Sequence, residues 1–331
     1  MTQFDESKHN RATDGKFTNK PHAEAEGVSL GGTATPKWLR ELTDLEPADQ
    51  ERVIEQLRAN QIRAWAKGRP KLSTPWPKNL PLPPVHMELD ETTDFTNVVT
   101  TLALDDNYLA TIESPPNYTG NLEVEWGPDA TEAPYEDEYA AYAHRDVSRI
   151  LTWAHASGQE VASEFGTWNP KGVDGIAVQE YAFPTLDLPE SDAQGWELPA
   201  LTSDRQAQAF DVLRAGLIDG EGADCAVGFP QGWEPEDVSV GWSPDVTSVR
   251  GVVGGSEFRA AFRSRGVHTV SVVGADGREL PDYAARAVRQ RIKRPLEVMG
   301  ERAQRLGERY GVWDADSETG KAATRHILGS N

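Results

Sequence analysis

Carboxylates do acid–base chemistry when two of them sit in different surroundings and one is held neutral by burial. Glu164, Asp174 and Glu180, near Trp168 and Tyr181, come nearest to such a set in this sequence, and no catalytic residue is named from them. The chain has 53 Asp and Glu, so the nearness of any two says little alone. Seven histidines form neither His-x-His nor His-Glu-x-x-His. His144 and His155 are eleven residues apart on one helical stretch, roughly 16 Å along the axis and too far to share a metal. Both read as solvated residues at a polar rim. No Gly-x-Ser-x-Gly elbow is present. Cys225, the lone cysteine, lies between Asp224 and Ala226 with no basic neighbour, which suits a small buried residue better than a nucleophile. A single cysteine also excludes an internal disulfide and a Cys-built metal site.

Asp314-Ala-Asp316-Ser-Glu318 imitates the start of a calcium loop. The sixth and twelfth positions, which require Gly and a bidentate Glu, are Thr319 and Arg325. Asp219-Gly-Glu221-Gly reads as a helix exit with Gly220 or Gly222 left-handed. Gly251-Val-Val-Gly254-Gly255-Ser256 lacks the lysine of a phosphate loop and the spacing of a dinucleotide fingerprint. It reads as a tight turn before a short segment, Glu257 to Arg263, whose end is the alternative place for an anion. No metal and no cofactor are expected.

Charge distribution is the stronger signal. The net charge is −20, and it is segregated. His86 to Asp146 holds fifteen acids against Arg145, and Asp174 to Asp245 holds fifteen against Arg205 and Arg214. Pro281 to Arg309 reverses the balance, with eight Arg or Lys against four acids. Such a field disfavours direct contact with nucleic acid or an anionic membrane and favours a basic or nucleic-acid-binding protein as partner. Glu123, Glu125, Glu136, Asp137 and Glu138 are the expected binding residues. One mechanism is imitation of DNA, whose phosphates recur about every 1.7 Å of duplex axis. The competing account makes the acids a solvated coat and docks the basic C-terminal helices on the acidic body. Two further readings are an enzyme pocket between two halves, lined by aromatics such as Trp153, Phe165 and Trp168, and a nucleic-acid contact at Arg286 to Arg294. The repulsive overall field opposes the last.

The elements that must position these groups follow from periodicity. Residues 1–35 are polar and read as a disordered tail. A helical segment spans 36–69: Pro36 opens a short helix to Leu42, and Pro47 a longer one with Val53, Ile54, Leu57, Ala64 and Trp65 on one stripe. Six prolines make 70–84 a linker. Val85 to Asp90 and Leu122 to Trp126 alternate as half-buried strands, with Asn97–Leu104 and Asn107–Glu113 between them as a hairpin. A helix over Tyr135–Ala156, with Gly158 as its stop, and a strand over Gly175–Phe183 complete an acidic half, 85–184. Residues 185–200 connect it to a second half, 201–313. That half has a helix over Ser203–Ile218, strands at Cys225–Phe229, Asp237–Trp242, Thr247–Val253 and Val267–Val273, and a basic helical stretch over Pro281–Tyr310 interrupted at Pro295. Residues 314–331 read as a flexible tail.

The fold class expected is therefore α+β, two sheet-and-helix halves ordered helix, antiparallel strands, helix. Structural duplication is an expectation of architecture alone, because no residue-by-residue repeat is evident. His9-Asn-Arg-Ala-Thr-Asp-Gly-Lys-Phe-Thr-Asn-Lys-Pro21 resembles an opening shared by uncharacterised proteins of high-GC bacteria and their mobile elements. That resemblance covers about a dozen residues and implies no activity. With no signal-like start and no apolar run of spanning length, the expected setting is cytoplasmic. The function expected is a non-catalytic acidic interaction or accessory protein; the alternative is an enzyme of unknown class with its pocket between the halves.

Overall fold

The computed structural model describes residues 35–71, 85–91, 96–103, 109–116, 118, 120–127, 138–184, 188, 190–193, 195–222, 227–229, 231, 236–262, 268–274 and 278–329. The expected tail, most of the proline linker, Cys225, and the side chains of Glu136, Asp137, Glu138 and His144 lie outside the described residues. The chain divides into two compact units, Met1–Glu41 and Leu42–Asn331. In the first, Lys37 and Glu41 pair along the opening turns of α1 (Lys37–Thr43).

The second unit is α+β. It contains α2 (Pro47–Ala66), a sheet of β1 (Val85–Glu91), β2 (Thr96–Ala103), β3 (Leu109–Ser114) and β4 (Glu125–Trp126), then α3 (Glu138–Phe165) and α4 (Val173–Ala182). It continues with α5 (Ser203–Gly220), a sheet of β5 (Glu236–Trp242), β6 (Thr247–Val253), β7 (Ser256–Phe262) and β8 (His268–Val273), then α6 (Asp282–Tyr310) and α7 (Glu318–Leu328). Each sheet is an antiparallel meander in sequence order. In each half the long helix covers its sheet and the short last helix packs on the first. Met87, Val98, Leu102, Ile112, Val147 and Leu151 centre one core; Val240, Phe258, Ile292, Met299 and Ala323 centre the other.

The halves meet through α2 against α5 and α3 against α6. The ends of α3 and α6 exchange backbone bonds: Thr167 N donates to Arg309 O at 2.8 Å, and Val312 N to Glu164 O at 3.0 Å. This close approach needs glycine. Gly166 and Gly311 have φ of +73° and +81°, and a Cβ on either would enter the backbone of the other's segment. Here the sequence does repeat. Phe165-Gly-Thr-Trp168-Asn169 matches Tyr310-Gly-Val-Trp313-Asp314, and each glycine is followed nine residues on by another, Gly175 and Gly320. Gly311→Ala should lower stability by about 2 kcal/mol, read as a lower urea midpoint at unchanged slope. A variant as stable as the parent would show that this junction tolerates a side chain.

Several sequence expectations are corrected. Gly175–Phe183 is not a strand but helix α4, most of which is buried, so no wet face was available to show a 3.6 period. Gly158 does not stop α3; it lies inside the helix, where its bare Cα lets Met87 and Val98 pack close. Leu122–Val124 alternates but does not pair, leaving Glu125–Trp126 as β4. Val227–Phe229 carries no strand. The short segment expected from Glu257 is no helix through Phe262: Ser256–Phe262 is β7, joined to β6 by Gly254 and Gly255, both at positive φ in a two-residue hairpin turn. The helix end proposed there for an anion therefore does not exist. α6 runs unbroken through the buried Pro295. The expected flexible tail instead forms α7, capped by Ser317 accepting from Gly320 N and buried through Ala322, Ala323 and Ile327.

Candidate functional site

Three groups of side chains could carry function. The first is a cleft of about 600 Å³ where α2, the α3–α4 loop, the end of α5 and the end of α6 converge. Arg58 comes from the buried stripe of α2 and donates from Nη1 to Asp174 Oδ2 at 2.7 Å. Asp174 is fully buried and also accepts from Gly175 N. Burial raises its carboxyl pKa, against the pull of the Arg58 guanidinium. Arg214 holds the matching place on α5: Nε donates to Thr319 Oγ1 and Nη1 to Tyr310 O. Burial lowers its pKa to about 10. Both guanidiniums lie over the ring of Phe210, that of Arg58 at 5.7 Å and that of Arg214 at 4.9 Å from its centroid.

Glu55 borders this cleft, accepting from Asn169 Nδ2 at 3.0 Å, and burial raises its carboxyl pKa. Arg58 Nε and Trp168 Nε1 are buried without a hydrogen-bond partner among the described residues. On the far wall Arg309 pairs with Glu221 at 3.1 Å, and Tyr310 donates its hydroxyl to the same carboxylate. Of the aromatics expected to line a pocket between halves, Trp168 does so. Phe165 is buried edge-on against Trp65, and Trp153 projects from α3. Of the carboxylate set, Asp174 is buried, Glu180 pairs with Arg63 at 2.8 Å, and Glu164 accepts Val312 N through its backbone.

The second group is the face of the first sheet turned away from α3. Met87, Val98, Thr100, Leu102, Ala110, Ile112 and Trp126 point into the core. Alternation sends Glu88, Asp90, Val99, Thr101, Thr111, Glu113 and Glu125 the other way, all half-exposed or exposed. Neighbouring strands are about 4.8 Å apart and alternate residues about 6.8 Å, so four carboxylates share a small area. Asn97 Nδ2 donates to Glu113 at 2.6 Å. Glu123 is exposed two residues before Glu125. The second acidic window is partly engaged within the fold. Five of its acids are engaged inside the fold: Asp174 with Arg58, Glu180 with Arg63, Asp211 with the α7 N-terminus, Asp219 with Arg325, and Glu221 with Arg309. Glu190, Asp192, Glu197, Asp204, Glu236, Asp237 and Asp245 are exposed along the connector, α5 and the ends of β5.

The third group corrects an expectation. His155 is not solvated but fully buried, because α3 turns it onto the sheet. Its Nδ1 is 3.0 Å from Thr100 Oγ1 and its Nε2 2.7 Å from Ser114 Oγ, which also accepts from Gln159 Nε2 at 2.8 Å. Burial lowers its pKa to about 4. A serine and a neutral imidazole thus meet, but inside the core, where the pair ties β2 and β3 to α3.

Sequence reasoning missed Arg58 and Arg214. Each lies in the apolar stripe of its helix, and that was the available signal. No group of three or more His, Cys, Asp or Glu is placed to hold a metal among the described residues, and no helix there is long and apolar enough to cross a membrane. Comparison of the chain with protein-family models, with curated proteins and with solved structures gives no match.

Proposed function

We propose that this is a non-catalytic interaction protein whose outer face on the first sheet meets a basic surface of a nucleic-acid-binding partner. The supporting observation is that Glu88, Asp90, Glu113 and Glu125 project from one exposed face, while five acids of the second window are engaged within the fold. Glu123 extends that face, and Glu136, Asp137 and Glu138 follow in sequence. Competition with DNA is the form this reading takes. The protein should displace a labelled duplex from a basic, sequence-nonspecific DNA-binding protein, most effectively at low salt. The variant E88Q/D90N/E113Q/E125Q should compete about tenfold more weakly. Equal competition by parent and variant would remove the face from the account.

A second reading, an enzyme with its site in the cleft, is favoured by the unpartnered Arg58 Nε and Trp168 Nε1 and by the raised Glu55 carboxyl. It predicts a small molecule whose binding quenches tryptophan fluorescence and is lost in Trp168→Phe. The architecture belongs to the same proposal: the expected halves, 85–184 and 201–313, extended by α2 and by α7, act as halves of a duplicated unit, α2 to α4 and α5 to α7. The shared element order and the paired Gly-x-Trp segments support that origin.

A further inference from the structure

The edge of a sheet is a row of unpaired backbone donors and acceptors, which folded proteins blunt with charge, bulges, shortness or cover. Among the described residues, three of the four sheet edges are blunted in this way. β1 carries Glu88, Asp90 and Glu91 within seven residues. β4 is two residues long. β5 shifts register between Glu236 and Ser239, and at its far end Trp242 exchanges backbone bonds with Trp313 at 3.1 Å and 3.2 Å. β8 has none of these devices. His268-Thr-Val-Ser-Val-Val273 contains no proline, glycine, carboxylate, lysine or arginine, and it pairs with β7 in unbroken register. Among the described residues, Glu279 alone meets its outer edge, at Val273. His268 to Val272 is thus open over about 17 Å.

The side chains there also have room for a neighbour. Val272, opposite Phe258, is buried, whereas Val270, opposite Ala260, packs on the same core yet is only half-buried. Ser271 is exposed on the other face, opposite Arg259. A strand laid along β8 would cover Val270 and give the edge its backbone partners.

The surroundings set the charge of that strand. α6 packs on β8, β6 and β5; its Gly307 touches Trp242 of β5, and its Gly300 lies near Phe262 of β7. The first half of α6 is therefore the part nearest β8. Up to Arg294 it carries Arg286, Arg289, Arg291, Lys293 and Arg294 against Asp282. Arg286, Arg289, Lys293 and Arg294 are exposed, and Glu297 reaches the last two only at 3.8 Å and 3.7 Å. Twofold pairing of β8 with β8 would bring two such basic helices together, so charge disfavours a second copy. It favours a strand bearing carboxylates.

We propose that the open edge of β8 docks an extended, acidic segment of a partner protein, which joins the second sheet as a fifth strand. Backbone pairing supplies the affinity, and the basic half of α6 selects the charge. The site is separate from the acidic outer face of the first sheet, so either can fail alone.

The test is fluorescence anisotropy of the full chain with a labelled, end-capped heptapeptide of alternating valine and glutamate. It should bind saturably and slow hydrogen–deuterium exchange at His268 to Val272. Its fully N-methylated form has no N–H to pair and should not bind. A valine–lysine heptapeptide should bind about tenfold more weakly. The variant Arg286→Gln/Arg289→Gln/Lys293→Gln/Arg294→Gln, confined to exposed side chains, should bind both charged peptides alike. No saturation, binding without protection of β8, or equal binding of the N-methylated form overturns the docking edge. Equal affinity of the parent for the two charged peptides, or a preference that survives in the variant, overturns the acidic partner selected by α6. A dimer of the chain alone that protects the same amides and excludes the peptide assigns the edge to a second copy and likewise overturns it.

Discussion

Replacing Arg58 with Met should cost this protein about 3–5 kcal/mol of stability. Asp174, its partner at 2.7 Å, is fully buried and helps begin α4. Without the guanidinium its carboxyl must either stay charged in an apolar setting or bind a proton. The loss comes from that stranded group more than from the pair's own attraction. The double variant Arg58→Met/Asp174→Leu should therefore recover most of it, because two apolar side chains of similar size leave nothing unmatched. Urea denaturation of both variants and the parent checks this. A loss below about 1 kcal/mol in the single variant, or a double variant worse than the single, would show that the pair does not hold α2 to α4.

The second large effect is on pH. His155 is neutral in the folded protein, with a pKa of about 4 against the ordinary 6.5. The ring meets two hydroxyls, neither of which can supply a compensating negative charge. Its folded pKa lies below its unfolded one, so the contribution to stability is complete above pH 6.5. It falls as the pH drops toward 4, because only the unfolded chain readily takes the proton. A shift of that size corresponds to about 2–3 kcal/mol lost by pH 4.5. His155→Gln lacks the titrating group, so it should be less stable at pH 7 yet lose less between pH 7 and 4.5. If parent and variant lose stability in parallel over that range, the buried imidazole is not the titrating group.

Much of the fold was readable where burial is one-sided. β1, β2 and β3 alternate because one face of their sheet is dry, and α2 shows its stripe because the opposite side is wet. Reading failed where that contrast disappears. Most of α4 is buried, so its pattern looks like that of a core strand. α7 reads as a polar tail in the sequence because its polar residues are used inside: Thr319 Oγ1 accepts from Arg214 Nε, and Thr324 Oγ1 accepts from Val240 N. Pro295 looked like a break because a helix-interior proline costs about 3 kcal/mol, yet it is buried in a long helix with core on both sides of it. The sites divide the same way. Glu123 and Glu125 were named from alternation, which also orients Glu88, Asp90 and Glu113. The cleft joins residues more than a hundred positions apart, such as Arg58 with Asp174, and local spacing carries no trace of that. The paired Gly-x-Trp segments were the one long-range signal in plain sight.

The central claim is that Glu88, Asp90, Glu113 and Glu125 are displayed on the outer face of the first sheet while five acids of the second window are engaged within the fold. It is tested by measuring thermal stability and competition for the basic DNA-binding protein together on two variants. Neutralising Glu88, Asp90, Glu113 and Glu125 to the amides should weaken competition about tenfold and alter the melting temperature little, since Gln and Asn keep an oxygen for contacts such as that of Asn97 with Glu113. Asp211→Ala combined with Asp219→Asn removes the acceptor of the Glu318 and Thr319 N–H groups and the partner of Arg325. That variant should lose about 1–2 kcal/mol and compete as well as the parent while folded. The reverse pattern, with the sheet-face variant destabilised and the Asp211/Asp219 variant deficient in competition, would contradict the account.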